Sequence, residues 1–308
     1  MSASPSYPAS LQPFIVLDKN QFRGANAAAA IAEAQRSNCQ VLVIDTVFVE
    51  IVGSGTQGKD WKDQFEKDFR DWTKHPELLA VSQGLGELLR LERDSGVPAM
   101  SSLVDAEMTN LVRNMVRDLE VSGIAGLTKY DARVAAQLAK LTTPGAMLDP
   151  VKNLAELHAM VDHWFDKGLW CAKDKEATKA QMGKEVRDKS IAAYDTVALA
   201  ATSDGVLGGL EDALLLTNKG YTKEVAKHLM TTPSFTLFRF AALEALALYY
   251  YALGRKSAQI TDTDVQLNQT LDTTYLGYGL ACQQLRTAEN LVRRLDAGLR
   301  RALSVHFP

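Results

Sequence analysis

Residues 14–51, FIVLDKNQFRGANAAAAIAEAQRSNCQVLVIDTVFVEI, carry the pattern of a βαβ unit. Two short and continuously apolar runs, Phe14–Leu17 and Val41–Ile44, are typical of strands that are buried in a parallel sheet. The alanine-rich segment between them, from Ala25 to Arg36, contains neither Pro nor Gly and predicts a helix. Such a crossover is right-handed in nearly all proteins, and the chain is expected to begin a parallel sheet here.

Helical spacing dominates the chain from Lys59 to about Arg255. After an acidic loop at residues 260–264 the pattern becomes mixed again. This last part predicts a helix at 265–281, a β-like run at 284–287, a helix from 290 to about 302 and a final strand at 303–306. The α/β pattern is therefore confined to the two ends of the sequence.

We predict an α/β fold in which a parallel sheet is flanked by helices and its two halves are separated by a large all-helical insertion. Residues 1–12 are expected to form a flexible tail, 13–58 the first half of the core, 59–258 the insertion and 259–308 the second half. Because a parallel sheet needs cover on both faces, the two halves are expected to form one sheet. Leu17 and Leu285 should then lie on neighbouring strands.

The composition of the 308-residue chain excludes several classes of protein. Its 34 Lys and Arg against 37 Asp and Glu give a formal net charge of −3, which argues against a strongly basic nucleic-acid coat protein but leaves a local basic patch open. No apolar run approaches the ~18 residues of a transmembrane helix, and no membrane association is expected. The scattered cysteines and the absence of a signal-peptide pattern in the first ten residues favour a cytoplasmic location.

Acidic side chains follow the predicted strands at their carboxyl ends, where functional groups collect in parallel sheets. Asp18 ends the first strand, Glu50 follows the second, Glu289 follows the last β-like run, and Asp272 lies on the helix before that run. Carboxylates that are brought together repel one another unless protons or a divalent cation neutralise them. Oxygen ligands suit Mg²⁺ or Mn²⁺, which hold a phosphate oxygen and lower the pKa of a bound water.

These motifs together resemble the PIN-domain family of metal-dependent ribonucleases. The family's D-x-N at the end of the first strand is matched by Asp18-Lys19-Asn20, and its acid on the helix after the second strand by Glu50. Its third acid, before the fourth strand, is matched by Asp272, and its T-x-D after that strand by Thr287-Ala-Glu289. The resemblance covers about residues 13–53 and 262–307, roughly a third of the chain.

The resemblance implies an enzyme that hydrolyses RNA phosphodiester bonds with a metal-activated water. Mg²⁺ or Mn²⁺ is the implied cofactor, and a single-stranded or structured RNA is the implied partner. In this sequence the implied catalytic and metal-binding residues are Asp18, Glu50, Asp272 and Glu289. Asn20 is expected to position a carboxylate or the substrate.

Five arginines make residues 286–301 the densest basic segment of the chain. The segment is either a solvated helix face or a surface that contacts the RNA backbone, since guanidinium groups pair well with phosphate. In the second interpretation Arg286, Thr287 and Arg293 bind the substrate.

Lys59 lies in a glycine-rich segment, GSGTQGKD at residues 53–60, that nearly fits a nucleotide phosphate loop. Asp60 stands where that loop needs Ser or Thr, which argues against a nucleotide site, and Asp60 is instead a good helix N-cap. Lys59 is still expected to contact a nucleic-acid phosphate.

The aromatic residues of two helical segments predict core packing rather than base stacking. Trp61, Phe65, Phe69 and Trp72 repeat at helical spacing, and residues 235–240 form a similar apolar run.

Three departures from the family pattern bear on activity. Glu289 stands where the family usually has Asp, Gln269 occupies a position that is often acidic, and Asp272 follows Glu50 by 222 positions. These departures favour an alternative, a non-catalytic PIN-fold scaffold whose helical block binds a protein partner. Each acid also has an ordinary structural interpretation: Asp18 or Asn20 could cap a helix, for example. Two further possibilities stay open: that the chain is an unrelated helical protein, and that it forms a homodimer.

Overall fold

A computed structural model of the chain describes residues 11–52, 60–141, 224, 228–229, 234–239 and 274–306. Residues 1–10 of the predicted tail, the glycine-rich segment 53–59 and most of residues 142–273 lie outside these ranges. The described residues therefore include parts of both halves of the predicted core and parts of the predicted insertion.

Four strands form an all-parallel sheet in these ranges: β1 (Gln12–Leu17), β2 (Gln40–Val43), β3 (Leu79–Val81) and β4 (Cys282–Arg286). Their order across the sheet is β3-β2-β1-β4. Val16 of β1 pairs with Leu42 of β2 on one side and with Leu285 of β4 on the other. The fold is thus α/β, and the expectation that Leu17 and Leu285 lie on neighbouring strands is confirmed.

The βαβ unit forms where the apolar pattern predicts it. α1 (Gly24–Ser37) buries Ala27, Ala30, Ile31 and Ala34, which are spaced three or four residues apart along one helix face. Asn38 ends the helix with a φ of 48°, a left-handed conformation that Asn tolerates better than most residues. β2 follows at once, and α2 (Asp45–Val52) begins two residues after it.

β3 corrects the prediction that residues 59–258 are entirely helical. Leu79, Ala80 and Val81 are buried and pair in parallel with residues 41–43 of β2. Three buried apolar residues are too few for periodicity to distinguish a strand from part of a helix. The sheet therefore includes a strand that the sequence analysis assigned to the helical block.

α3 (Trp61–Phe69) begins at the predicted N-cap and buries the predicted aromatic face. The Asp60 side chain accepts a hydrogen bond from the Lys62 N–H over 3.0 Å. Phe65, Phe69 and the following Trp72 are fully buried, and the two phenylalanine rings stack with centroids 4.5 Å apart. Burial of one such ring stabilises a fold by about 1.5–3 kcal/mol, so this face anchors α3 to the core.

Three longer helices follow, namely α4 (Leu85–Ser95), α5 (Ala106–Ser122) and α6 (Asp131–Leu141). α5 packs on β3, whose Val81 N–H donates a hydrogen bond to the Thr109 hydroxyl over 2.9 Å. None of the helices in the described ranges combines the length and apolar character needed to cross a membrane.

Glu92 of α4 binds a helical turn at residues 236–239 that lies far away in the sequence. Its carboxylate accepts hydrogen bonds from the backbone N–H groups of Thr236 (2.6 Å), Leu237 (2.9 Å) and Ala99 (3.1 Å). Glu92 is completely buried, and its hydrogen bonds to these three amides connect two parts of the chain that are distant in the sequence. Residues 235–238 are buried, as their apolar pattern predicts.

α7 (Asn290–His306) covers the residues after β4 and corrects a second prediction. Residues 303–306 are predicted to form a final strand, whereas the helix continues through them. Leu295, Leu299 and Leu303 are buried at four-residue intervals, which is the spacing of one helix face. Residues 303–306, LSVH, are thus the last turn of this helix and not a separate element.

Candidate functional site

The strand order creates a topological switch point between β1 and β4. The chain passes from β1 to β2 and β3 on one side of the sheet, while β4 lies on the other side of β1. In open α/β sheets, ligands bind at such a point, outside the carboxyl ends of the strands. Asp18 follows β1 there, and its N–H donates a hydrogen bond to the Arg286 carbonyl at the end of β4 over 3.0 Å. The topology and the sequence motifs therefore indicate the same place.

Asp18 and Thr287 are joined at this point by their side chains. The Thr287 hydroxyl donates a hydrogen bond to Oδ2 of Asp18 over 2.9 Å and accepts one from the Glu289 N–H over 3.0 Å. Because the Glu289 N–H donates to the Thr287 hydroxyl oxygen, the hydroxyl is left to donate its own proton to the Asp18 carboxylate. Asp18 and Thr287 are both buried, whereas Glu289 is exposed. Glu289, another of the predicted acids, is thus linked to Asp18 through the Thr287 hydroxyl, by its backbone N–H and not by its carboxylate.

The structure decides against helix capping for the Asp18 side chain. Asp18 precedes a 3-10 turn at Lys19–Gln21, but its side chain makes no capping hydrogen bond to that turn. The N-cap residue of α1 is Arg23, and Asn20 does not hold that position either. The carboxylate of Asp18 is instead held by Thr287.

Glu50 lies on α2, and its charge is coupled to that of Asp18. Burial raises the pKa of Glu50, the negative charges of Asp18 and Asp68 raise it further, and Lys19 acts in the opposite direction. The Lys19 ammonium is 3.7 Å from Oε2 of Glu50 and donates a hydrogen bond to the Glu50 carbonyl over 3.1 Å. Asp18, Glu50 and Lys19 thus form one electrostatic unit at the switch point.

Asp68 is a member of this electrostatic neighbourhood that the sequence analysis missed. It is completely buried on α3, forms an ion pair with Arg23 and accepts a hydrogen bond from the Gln64 amide over 2.6 Å. A signal was present in the sequence, because Asp68 lies three residues after Phe65 and therefore on the buried aromatic face. An acid on an apolar helix face needs partners, and these partners cannot be read from α3 alone.

The third predicted acid, Asp272, lies outside the described residues, and so does Lys59. The helical residues 274–281 nevertheless reach the site, because the Tyr275 hydroxyl accepts a hydrogen bond from the Lys19 N–H over 3.3 Å. Membership of Asp272 in the site stays a prediction.

The predicted RNA-contacting residues differ in their surroundings. Asn20 is exposed, and its carbonyl accepts a hydrogen bond from the Asn26 amide over 3.4 Å. Arg286 is half-buried and forms an ion pair with Glu33 at 3.6 Å, and Arg293 is exposed. Arg286 thus already has one acidic partner within the fold.

Arg300 shows that the basic segment 286–301 is not a uniform solvated face. Its guanidinium binds the Asp296 carboxylate at 3.0 Å and the Gly279 carbonyl at 2.6 Å, and also reaches the Cys282 carbonyl. Burial raises the pKa of Asp296, and Arg300 opposes this effect. Arg300 therefore fastens α7 to the start of β4.

The donor chemistry at the switch point suits a hard cation. Asp18 and Glu50 supply carboxylate oxygens, which Mg²⁺ and Mn²⁺ prefer, and the pKa of Glu50 is raised first by burial and then by the charges of Asp18 and Asp68. Within the ranges that the structure describes, however, no group of three or more His, Cys, Asp or Glu side chains is arranged to hold a metal ion. The described part of the site therefore provides two of the four predicted ligands in a suitable charge environment.

No protein-family model, no curated protein and no solved structure matches this chain significantly.

Proposed function

We propose that this protein is a divalent-metal-dependent ribonuclease with a PIN-like core. The observation that carries the proposal is the Asp18–Thr287 hydrogen bond at the β1/β4 switch point. It brings the strand-end motifs Asp18-Lys19-Asn20 and Thr287-Ala-Glu289 together at the edge of the sheet where ligands bind. The coupling of Glu50 to Asp18 further supports a site that accepts positive charge.

The chain's own residues have distinct roles in this proposal. Asp18 and Glu50 hold Mg²⁺ or Mn²⁺, with Asp272 and Glu289 completing the ligand set. When bound, such an ion lowers the pKa of a coordinated water and stabilises charge that develops on the phosphate. Thr287 fixes the orientation of the Asp18 carboxylate, because its hydroxyl donates a hydrogen bond to Oδ2, one of the two carboxylate oxygens. Asn20, Lys59, Arg286 and Arg293 contact the RNA backbone beside the site.

The test measures cleavage of a labelled single-stranded RNA and of a labelled hairpin by the full chain in Mn²⁺ or Mg²⁺, with and without EDTA. Cleavage should require the divalent ion and be abolished in Asp18→Asn. Asp63→Asn is the matched control, because it removes one exposed carboxylate from α3 and should leave cleavage unchanged. Equal cleavage rates for Asp18→Asn and the parent, from preparations of equal purity, would refute the catalytic assignment.

A second candidate function is a non-catalytic scaffold whose helical block binds a protein partner. It is favoured by the exposure of Glu289 and by the pairing of Glu50 with a cation of the chain itself, Lys19. This candidate predicts neither RNA cleavage nor heat of Mn²⁺ binding in calorimetry. The helical block lies largely outside the described residues, so the partner surface stays a prediction.

A further inference from the structure

The Lys19 ammonium contacts two groups of Glu50 on α2, its backbone carbonyl and its side-chain carboxylate. The ammonium donates a hydrogen bond to the backbone carbonyl of Glu50 over 3.1 Å and lies 3.7 Å from the Glu50 carboxylate. Both side chains are about one-quarter exposed (24% and 25%), so the pair lies at the surface of the site and not deep in the core. Water and ions can therefore reach the carboxylate contact.

The carbonyl contact has its own structural reason. α2 is described as far as Val52, and the Glu50 carbonyl lies in this last described turn. A backbone carbonyl oxygen carries two lone pairs and can accept the hydrogen bond from the Lys19 ammonium whatever its other partner is. The contact with the Glu50 carbonyl therefore does not depend on the charge of the Glu50 carboxylate.

The carboxylate contact balances charge. Asp18 and Asp68 both act on Glu50 as negative charges, and Asp68 has its own cation in Arg23. Lys19 is the positive group that acts on Glu50 among these described neighbours. A contact of 3.7 Å between partly exposed groups is a weak ion pair, which a divalent ion can replace at small cost.

We infer that Lys19 is a resident counter-ion of the site, which neutralises Glu50 in the metal-free protein and gives up the carboxylate when a divalent cation binds Asp18 and Glu50. The ammonium keeps its hydrogen bond to the Glu50 carbonyl during this exchange, so only the carboxylate contact is replaced. This inference rests on the proposed function, since it concerns the same metal site. It assigns a regulatory role to the residue between Asp18 and Asn20.

The first experiment titrates Mn²⁺ into the metal-free full chain by calorimetry. Lys19→Met keeps the length of the side chain but removes its charge, and it should bind Mn²⁺ roughly two- to fivefold more tightly than the parent. Lys19→Arg keeps the charge and should bind like the parent. Lys62→Met is the matched control, because Lys62 pairs with Asp60 and Asp131 and not with a residue of the site. Unchanged or weaker Mn²⁺ binding by Lys19→Met overturns the inference.

A second experiment separates failure of this inference from failure of the proposed function. Urea unfolding in EDTA of the parent, Lys19→Met, Glu50→Gln and the double variant measures the coupling between the two side chains without any metal. Additive effects overturn the counter-ion role even if the protein cleaves RNA. Measurable coupling together with no Mn²⁺ binding by any variant overturns both the exchange and the nuclease proposal. Coupling together with tighter Mn²⁺ binding by Lys19→Met supports both.

Discussion

Oγ1 of Thr287 lies 2.9 Å from Oδ2 of Asp18, although the two residues are 269 positions apart in the sequence. The contact depends on the register between β1 and β4, in which Leu17 pairs with Arg286. A shift of one residue would turn the side chains that follow each strand to the opposite face. The geometry of the candidate site is therefore set by the same pairing that joins β4 to β1.

Replacement of Thr287 by Val should destabilise the protein by about 1–3 kcal/mol, because a buried carboxylate oxygen and the Glu289 N–H each lose a partner at nearly constant side-chain volume. Urea unfolding at neutral pH measures this change. Thr287→Ser, which restores the hydroxyl, should recover part of the loss, and Thr128→Val at an exposed position should have little effect. A free energy of unfolding for Thr287→Val equal to that of the parent would show that the hydrogen bond does not hold Asp18.

Glu50 should make stability depend on pH in a defined direction. Burial and the charges of Asp18 and Asp68 raise the pKa of Glu50 in the folded state above its usual value, with Lys19 in opposition. Between the two values the folded state binds more protons than the unfolded state, and the free energy of unfolding falls as pH rises. Glu50→Gln removes this contribution.

The measurement compares the parent with Glu50→Gln by urea unfolding in EDTA from about pH 4 to about pH 8. The difference in free energy of unfolding should move in favour of the variant as pH rises through the raised pKa of Glu50, and then stay constant. A difference that is independent of pH would contradict the assigned shift.

Glu92→Ala should cost about 3 kcal/mol or more, because three backbone N–H groups lose a charged acceptor in a buried position. Glu92→Gln keeps one acceptor oxygen and should cost less. The exposed Glu107, which pairs with Arg133, supplies the control Glu107→Ala, with an expected change within about 0.5 kcal/mol. Equal unfolding midpoints for Glu92→Ala and Glu107→Ala would mean that residues 236–239 are held by other contacts.

Asp60→Ala should destabilise the protein by about 1 kcal/mol, since the Lys62 N–H loses its capping acceptor at the start of α3. Asp60→Asn keeps a capping oxygen and should stay close to the parent. Thermal unfolding distinguishes the two variants, and an equal loss in both would assign the effect to the charge of Asp60 and not to the cap.

The strands β1, β2 and β4, the helix α1 and the place of Asp18 could be predicted because their signals are local. β1 and β2 are short apolar runs that polar residues end, and α1 is an uninterrupted helix-forming segment. β4, with the sequence CQQLR, was predicted from a β-like run at 284–287 and begins two residues earlier, at Cys282. β3 was missed because its three residues lie among helical patterns. Residues 303–306 were wrongly predicted as a strand because four residues, LSVH, are too few to distinguish a strand from the last turn of a helix.

The contacts that give the site its charge could not be predicted, because they join elements that are distant in the sequence. Asp68 of α3 contacts Arg23, and Lys19 contacts Glu50 of α2, so each pair joins two different parts of the fold. The sequence supplied the acids at the ends of the strands, but neither periodicity nor spacing identifies their counter-ions.

The position of β4 beside β1 has a consequence for how the protein folds during synthesis. β1 can pair with β2 soon after both are synthesised. Its other edge pairs with β4, residues 282–286, which are synthesised about 270 residues after β1. An apolar strand with an unpaired edge is a template for pairing with other chains, and contacts between distant residues form slowly. The nascent chain therefore passes through a long period in which its central strand is open to aggregation, and chaperone binding in that period should matter more for this protein than for one whose sheet is completed locally.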